Sequence, residues 1–443
     1  MLLSFSFSNW KSFRDETSFS MVAGREERFT QRLPIVGKYK LKALPTAAIY
    51  GANASGKSAF ISALRFARQF IIQGSEPDAQ IDLKPYLLDK EYLDKPSSFA
   101  FTFLIGEDIY RYSFSLSTDK VISESLVLIL KTTESKVFSR EAGKDRAKVQ
   151  INSRRVMPEE RTTLKMIGDR TIRNNQLFLT STIYQACNTF KPIYDWLKYK
   201  LQIIGPDSIY VPVCNLANEQ NKNKYSSLLN ALDTGIVELG LTEANLSESR
   251  KRHLQDLYKD QLKEGRGILL SEYGNKDRIA IQVSKDKVEA NMLISKHWDS
   301  LENPVDFTFG MESDGTNRLL DILPAFVQLI EDSGMVFVID ELDRSLHTLV
   351  SKALIKYFLD TCSKNSRNQL IFSTHDVMLM DQALLRRDEL WITDRSLEGA
   401  SSLYSFSDYK DIRADKDIRK AYLQGNLMGV PNILMDELCS QED

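Results

Sequence analysis

Cysteine is scarce. The 443 residues carry four, Cys187, Cys214, Cys362 and Cys439, far apart and in no CxxC spacing. That excludes a disulfide framework and offers no zinc site, and a reducing cytoplasm is the simplest home. Twenty glycines and 12 prolines are too few for a collagen-like or largely disordered chain. No window approaches the roughly 18 uninterrupted apolar residues of a membrane span. An excess of one charge is missing too: 58 Lys and Arg stand against 60 Asp and Glu, a formal net charge of −2. Bulk electrostatics therefore give no nucleic-acid binder, and any basic patch has to be local. No internal repeat or low-complexity segment stands out, and no sustained heptad run supplies coiled-coil arms.

What is present is globular, with 42% hydrophobic and 27% charged residues, and the length predicts two or three compact units. The opening MLLSFSFSNW lacks the basic and continuous apolar regions of a signal peptide. Its alternation puts Leu3, Phe5 and Phe7 on one face and Ser4, Ser6 and Ser8 on the other, predicting a half-buried strand. Thr46–Tyr50 is a short apolar run ending in a Gly-rich turn. From Ser58 onward Phe60, Ile61, Leu64, Phe66, Ala67 and Phe70 follow helical spacing. Between about residues 97 and 131, SFAFTFLI, IYRYSFSL and KVISESLVLIL predict an antiparallel meander. The polar, mixed segment from about 140 to 180 gives no assignment. From Tyr184 to Leu270 helical signals dominate, and the charged stretch SESRKRHLQDLYKDQLKEGRG reads as a solvated helical face. In the last third, MVFVID, NQLIFSTHD and ELWITD are strand runs alternating with helical ones, which predicts a largely parallel sheet covered by helices. The expected organisation is one α/β domain assembled from residues 1–95 and 301–443, with a β-rich then helical insertion at 96–300.

Four short segments carry chemistry. Gly51-Ala52-Asn53-Ala54-Ser55-Gly56-Lys57-Ser58 matches G-x-x-x-x-G-K-[ST] between a strand and a helix. The glycines let backbone N–H groups wrap phosphate oxygens, Lys57 reaches the β- and γ-phosphates, and the Ser58 hydroxyl suits Mg²⁺. Met335–Ile339 is an apolar run ending in Asp340 and Glu341. There Asp340 can hold Mg²⁺, and Glu341 can orient or deprotonate an attacking water. His375 ends a second β-run, in reach of a γ-phosphate. Ser313, Asp314 and Gly315 open an apolar helix: Ser313 is a good N-cap, and a bland helix start explains it fully.

The ordered set of Gly-rich loop, S-x-G helix start, acidic strand end and strand with His resembles an α/β ABC-type ATPase head, a P-loop NTPase of the RecF and SMC branch. The segments LLSFSFSNWKSFRD, PTAAIYGANASGKS, VIDELDRSLH, FSTHDVMLMD and RKAYLQGNLMGVP resemble bacterial phage-defence ATPases of the RloA or AbiLi type, related to AriA of the PARIS system. That resemblance implies ATP and Mg²⁺ as cofactors and a homodimer or larger homo-oligomer. In it two heads sandwich the nucleotides, Ser313, Asp314 and Gly315 contacting in trans the γ-phosphate held by the other subunit. It also implies a separately encoded effector, a phage protein or DNA as trigger, and no membrane. In the loop after the acidic strand, Asp343 to His347, many ABC heads end in Asp where this chain has His347; the Gln-bearing loop of such heads has no assignable counterpart. Two other functions remain open on the sequence: a RecF-like DNA-maintenance ATPase and a non-hydrolysing nucleotide-dependent scaffold.

Overall fold

The computed structural model describes residues 1–143, 146–208, 219–244, 246–257, 267–271, 276–284, 287–331, 334–409, 417–425 and 427–430. Cys214, Cys439, residues 258–266 of the charged stretch, and Asn426 and Pro431 of the closing segment lie outside the described residues. Among the described residues, no helix is long and apolar enough to cross a membrane. The chain divides into two compact units. One comprises Met1–Gly205, Leu329–Leu342 and Ile355–Asp443; the other comprises Pro206–Gln328 and Asp343–Leu354.

The first unit holds the fold class read from the sequence, an α/β P-loop head. Six strands run in the order Leu201–Ile204, Val336–Ile339, Gln369–Ser373, Thr46–Tyr50, Leu390–Arg395 and Ser401–Ser405. All pairs are parallel except the last. Val336–Ile339, Gln369–Ser373 and Thr46–Tyr50 are buried at every position, as expected of parallel strands covered on both faces.

Seven antiparallel strands make the second sheet of this unit: Lys148–Ile151, Glu134–Glu141, Val121–Ile129, Asp108–Leu116, Ser97–Ile105, Leu2–Ser8 and Thr17–Ser20. Phe rings of the antiparallel sheet meet the helix Lys57–Gln73, with Phe60 5.2 Å from Phe19 and 6.2 Å from Phe5, and Phe19 reaches Trp391 of the parallel sheet at 4.9 Å. The apolar side chains of both sheets and of this helix form one core. Gln369 stitches the sheets together. Its Oε1 accepts the Leu2 N–H at 2.7 Å, and its Nε2 donates to the Leu2 carbonyl at 2.9 Å, satisfying buried polar groups on each side.

Two expectations are corrected here. Leu3 does not share a face with Phe5 and Phe7: the register shifts between Leu2 and Ser4, so Leu2 joins the main core. Leu3 instead packs with Val36, Leu104 and Ile109 in a smaller cluster, because one extra residue turns a side chain to the opposite face. The segment 96–300 is also not one insertion. Its meander pairs with the N-terminal strand, Phe101 opposite Phe5 and Phe99 opposite Phe7, and so belongs to the first unit. Among the described residues the second unit is not helical alone: beside the helices Glu219–Ala231 and Glu248–Leu257, the strands Glu238–Glu243, Gly267–Ser271, Arg278–Ser284, Lys287–Trp298 and Pro304–Thr308 form an antiparallel sheet. The unassigned stretch from 140 to 180 contains a short strand, Lys148–Ile151, and the short helices Arg161–Met166 and Phe178–Tyr184.

Candidate functional site

The strand Thr46–Tyr50 delivers the chain to the carboxyl end of the parallel sheet, where open α/β sheets bind their ligands. Gly51 has φ +148° and Gly56 φ +124°, both in the region that favours glycine. A Cβ on Gly51 would stand 2.4 Å from Thr393 Oγ1 and 2.5 Å from the Thr393 carbonyl oxygen. Thr393 Oγ1 in turn donates to the Tyr50 carbonyl at 3.1 Å and lies 2.6 Å from Ser55 Oγ. The neighbouring strand Leu390–Arg395 therefore fixes the loop's floor. Lys57 is buried, its Nζ donating to the Gly51 and Ala52 carbonyls at 2.7 and 3.1 Å. Helix Lys57–Gln73 begins at Gly56 without a side-chain cap. The first N–H groups of a helix find no intrahelical acceptor, which suits such a start to an anion.

Two strands away, Val336–Ile339 ends in Asp340, which is 5% exposed. Asp340 Oδ1 accepts the Ser373 hydroxyl at 2.6 Å. Glu341 follows in the left-handed region, φ +50°, and is half-buried. His375 comes two residues after the strand Gln369–Ser373 and is exposed. Glu341, His375 and residues 53–58 of the Gly-rich loop share one cleft of about 420 Å³, which Lys11, Ser12 and Ala59 also line; Asp340, Gly51 and Ala52 are not among its lining residues. The exposed Ser58 hydroxyl and the Asp340 carboxylate are hard oxygen donors, a set that fits Mg²⁺.

Lys11 and Ser12 went unassigned in the sequence. They sit in the turn after the first strand, where Asn9 and Lys11 both take positive φ, 53° and 50°. No spacing rule links that turn to a loop forty residues on; a backbone bond from Lys11 N–H to the Lys84 carbonyl and one from Ser401 N–H to the Ser12 carbonyl hold it there. Burial holds the Lys11 ammonium below its usual pKa, and Arg65 and Lys84 add to this while Asp340 opposes it.

The remaining sequence-assigned residues belong to the second unit. Ser313 is exposed and caps the helix Asp314–Ile330, its Oγ accepting the Thr316 N–H at 3.1 Å. Asp314 pairs with Lys276, which holds the Asp314 carboxyl below its usual range. A Cβ on Gly315 would meet the Ser345 carbonyl at 2.8 Å, so this helix start and the loop Asp343 to His347 lie against each other. His347 precedes the helix Thr348–Thr361, its Nδ1 accepting the Leu349 N–H at 3.2 Å and its carbonyl the Val350 N–H at 2.9 Å. Asp343 accepts the Leu346 N–H at 2.9 Å through its carbonyl, closing that loop. Next to Ser313, Glu312 lies 2.7 Å from His297 Nε2, a pair that no local spacing announces.

No curated protein matches the chain. Solved structures do. The SMC head domain from Thermotoga maritima aligns at 14% identity and TM-score 0.36, over 91% of this chain and 98% of that one. An Smc head bound to the C-winged helix domain of ScpA aligns at 14% and TM-score 0.41, over 91% and 97%. An Smc head domain with an extended coiled coil, bound to the C-terminal domain of ScpA derived from Pyrococcus furiosus, aligns at 14% and TM-score 0.34, over 92% and 97%. Likeness at this level leaves the chemistry to the residues themselves. Residues 47–381, well over half of the chain and spanning both the Gly-rich loop and His375, match the family model described as "AAA domain, putative AbiEii toxin, Type IV TA system", and the chain belongs to that family.

Proposed function

We propose that this chain is a Mg²⁺-dependent ATPase and the sensor or switch subunit of an abortive-infection defence system, controlling a separately encoded effector in the cytoplasm. The observation that carries the ATPase reading is the meeting of loop residues 53–58 with Glu341 and His375 around one cleft. Loop N–H groups and the start of helix Lys57–Gln73 receive phosphate oxygens. Lys57 exchanges its two loop carbonyls for the β- and γ-phosphates. Bound Mg²⁺ supplies positive charge against the phosphates, and Ser58 and Asp340 are the residues that would hold it. Glu341 orients the attacking water and takes its proton, and His375 donates to the γ-phosphate as charge develops there.

The defence reading draws on the family description, which names a toxin and a toxin–antitoxin system. It also draws on the likeness of VIDELDRSLH and FSTHDVMLMD to the RloA and AbiLi type. In the assembled switch, Ser313 and Gly315 of one copy contact the γ-phosphate bound by another, a task suited to a helix N-terminus. ATP then holds two copies together and hydrolysis releases them.

The test is phosphate release and nucleotide binding by wild type, Lys57→Ala and Glu341→Gln. Lys57→Ala is expected to lose nucleotide binding. Glu341→Gln should bind ATP without turning it over, and should co-purify with a protein partner from its host. Turnover by Glu341→Gln at the wild-type rate removes it as the base. A salt-sensitive DNA affinity strengthened by ATP, with no protein partner, transfers the chain to the RecF-like reading.

A further inference from the structure

One serine holds three consecutive residues of the acidic turn. Ser373 ends the strand Gln369–Ser373, where it follows the apolar Leu370, Ile371 and Phe372 and is fully buried. Its hydroxyl donates to Asp340 Oδ1 at 2.6 Å and accepts the Glu341 N–H at 2.8 Å. Its carbonyl accepts the next N–H, that of Leu342, at 3.0 Å.

The direction of these bonds is forced. A hydroxyl has one proton and two lone pairs. Because the Glu341 N–H can only donate and a carboxylate can only accept, the hydroxyl receives the first and gives its proton to Asp340. A buried carboxylate needs such a donor, and receiving it fixes the plane in which the carboxylate lies. Glu341 sits at φ +50°, a conformation an L-residue keeps only where its surroundings hold it. The N–H groups of Glu341 and Leu342, on either side of that strained residue, both end on Ser373.

We propose that Ser373 is a positioning residue for the hydrolysis, setting through one hydroxyl both the carboxylate that would hold Mg²⁺ and the backbone that aims Glu341. The proposal rests on the ATPase reading above. It also explains why a hydroxyl follows Leu370, Ile371 and Phe372 on this buried strand: the β-strand delivers it between the Asp340 carboxylate and the Glu341 backbone.

The experiment compares Ser373→Thr with Ser373→Val, which match in volume and differ in the hydroxyl. Ser373→Ala serves if the valine does not fold, as judged by thermal melting. Threonine should keep kcat near wild type. Valine or alanine should lower kcat by about 10–100-fold, the usual loss on removing a partner of a metal-binding side chain, with KM for ATP unmoved. A second readout needs no turnover: the gain in affinity for a fluorescent ATP analogue on adding Mg²⁺ should persist in the threonine variant and shrink in the valine one. Valine turning over like wild type overturns the proposal. Threonine and valine falling together also overturns it, since packing alone would then be at stake. Failure of the ATPase reading looks different: wild type would release phosphate no faster than Lys57→Ala, while the Mg²⁺ titration would still separate threonine from valine.

Discussion

Gly51 stands where three oxygens crowd a single Cα. A methyl group there would lie 2.4 Å from Thr393 Oγ1 and 2.5 Å from both Ser55 Oγ and the Thr393 carbonyl oxygen, at a φ of +148°. The carbonyl belongs to a paired strand and cannot retreat. Gly51→Ala should therefore destabilise the protein by about 1–3 kcal/mol, the range for overpacking a tight site, and distort the loop that Lys57 closes. A shifted denaturation midpoint together with lost nucleotide affinity checks this; alanine binding nucleotide normally would mean the loop can rearrange. Such residues are legible in a sequence because glycine, lysine and serine at fixed offsets have few other reasons to recur in that order. Asp340, Glu341 and His375 were readable for a related reason, as polar residues at the ends of apolar runs. Ser373, Thr393 and Lys11 were not. Each reaches the cleft from a neighbouring strand or a distant turn, and only the sheet order and the bonds of that turn make them neighbours.

Among the elements, the meander is tied to the helices beside it by a buried polar knot. Glu124, on the strand Val121–Ile129, accepts the N–H groups of Phe178 and Leu179 at 2.6 and 3.0 Å and the Tyr112 hydroxyl at 2.9 Å. Arg140, on the next strand, is 3.8 Å from Glu124 and donates to the Arg173 and Asn174 carbonyls at 3.0 and 3.2 Å. Both side chains are fully buried, and burial pushes the Glu124 carboxyl up while Arg140 pulls it down. Glu124→Ala would leave the guanidinium, two amides and a phenol short of a partner at once. A loss of about 3–5 kcal/mol is expected, the cost of breaking a buried pair on one side, and a thermal melt against wild type measures it. A variant melting within a degree or two of wild type would mean that water replaces the carboxylate. Period-two alternation made the meander strands readable. The helices they dock were not: Arg161–Met166 and Phe178–Tyr184 are six and seven residues long, too short for a 3.6-residue period to declare itself. Leu201–Ile204 is likewise four residues whose partner, Val336–Ile339, lies more than a hundred positions on. Its β-structure is conferred by that partner, which the local sequence cannot announce.

For the molecule as a whole, the residues assigned to phosphate contact are split between the two units, with the Gly-rich loop in one and Ser313 in the other. The second unit exposes large apolar side chains beside both of its assigned helix starts. Met311, two residues before Ser313, is 63% exposed, and Leu349, two after His347, is 67% exposed. Scattered apolar residues on a surface need no explanation, but two flanking a helix N-terminus and the loop packed against it suit a face covered on assembly. The proposed switch thus predicts a division of effects. In Glu341→Gln, which retains ATP, adding Met311→Glu and Leu349→Glu should weaken the nucleotide-dependent dimer, because two carboxylates would be desolvated at the contact. Nucleotide affinity of the single chain and its melting temperature should stay as they were, since neither side chain is buried there. Mass photometry with and without ATP reads the first effect, and a nucleotide titration at nanomolar protein reads the second. Dimers persisting unchanged would place the contact elsewhere on the surface. A loss of ATP affinity in the isolated chain would mean that this face serves the chain's own nucleotide site, and the division of labour between two copies would fall with it.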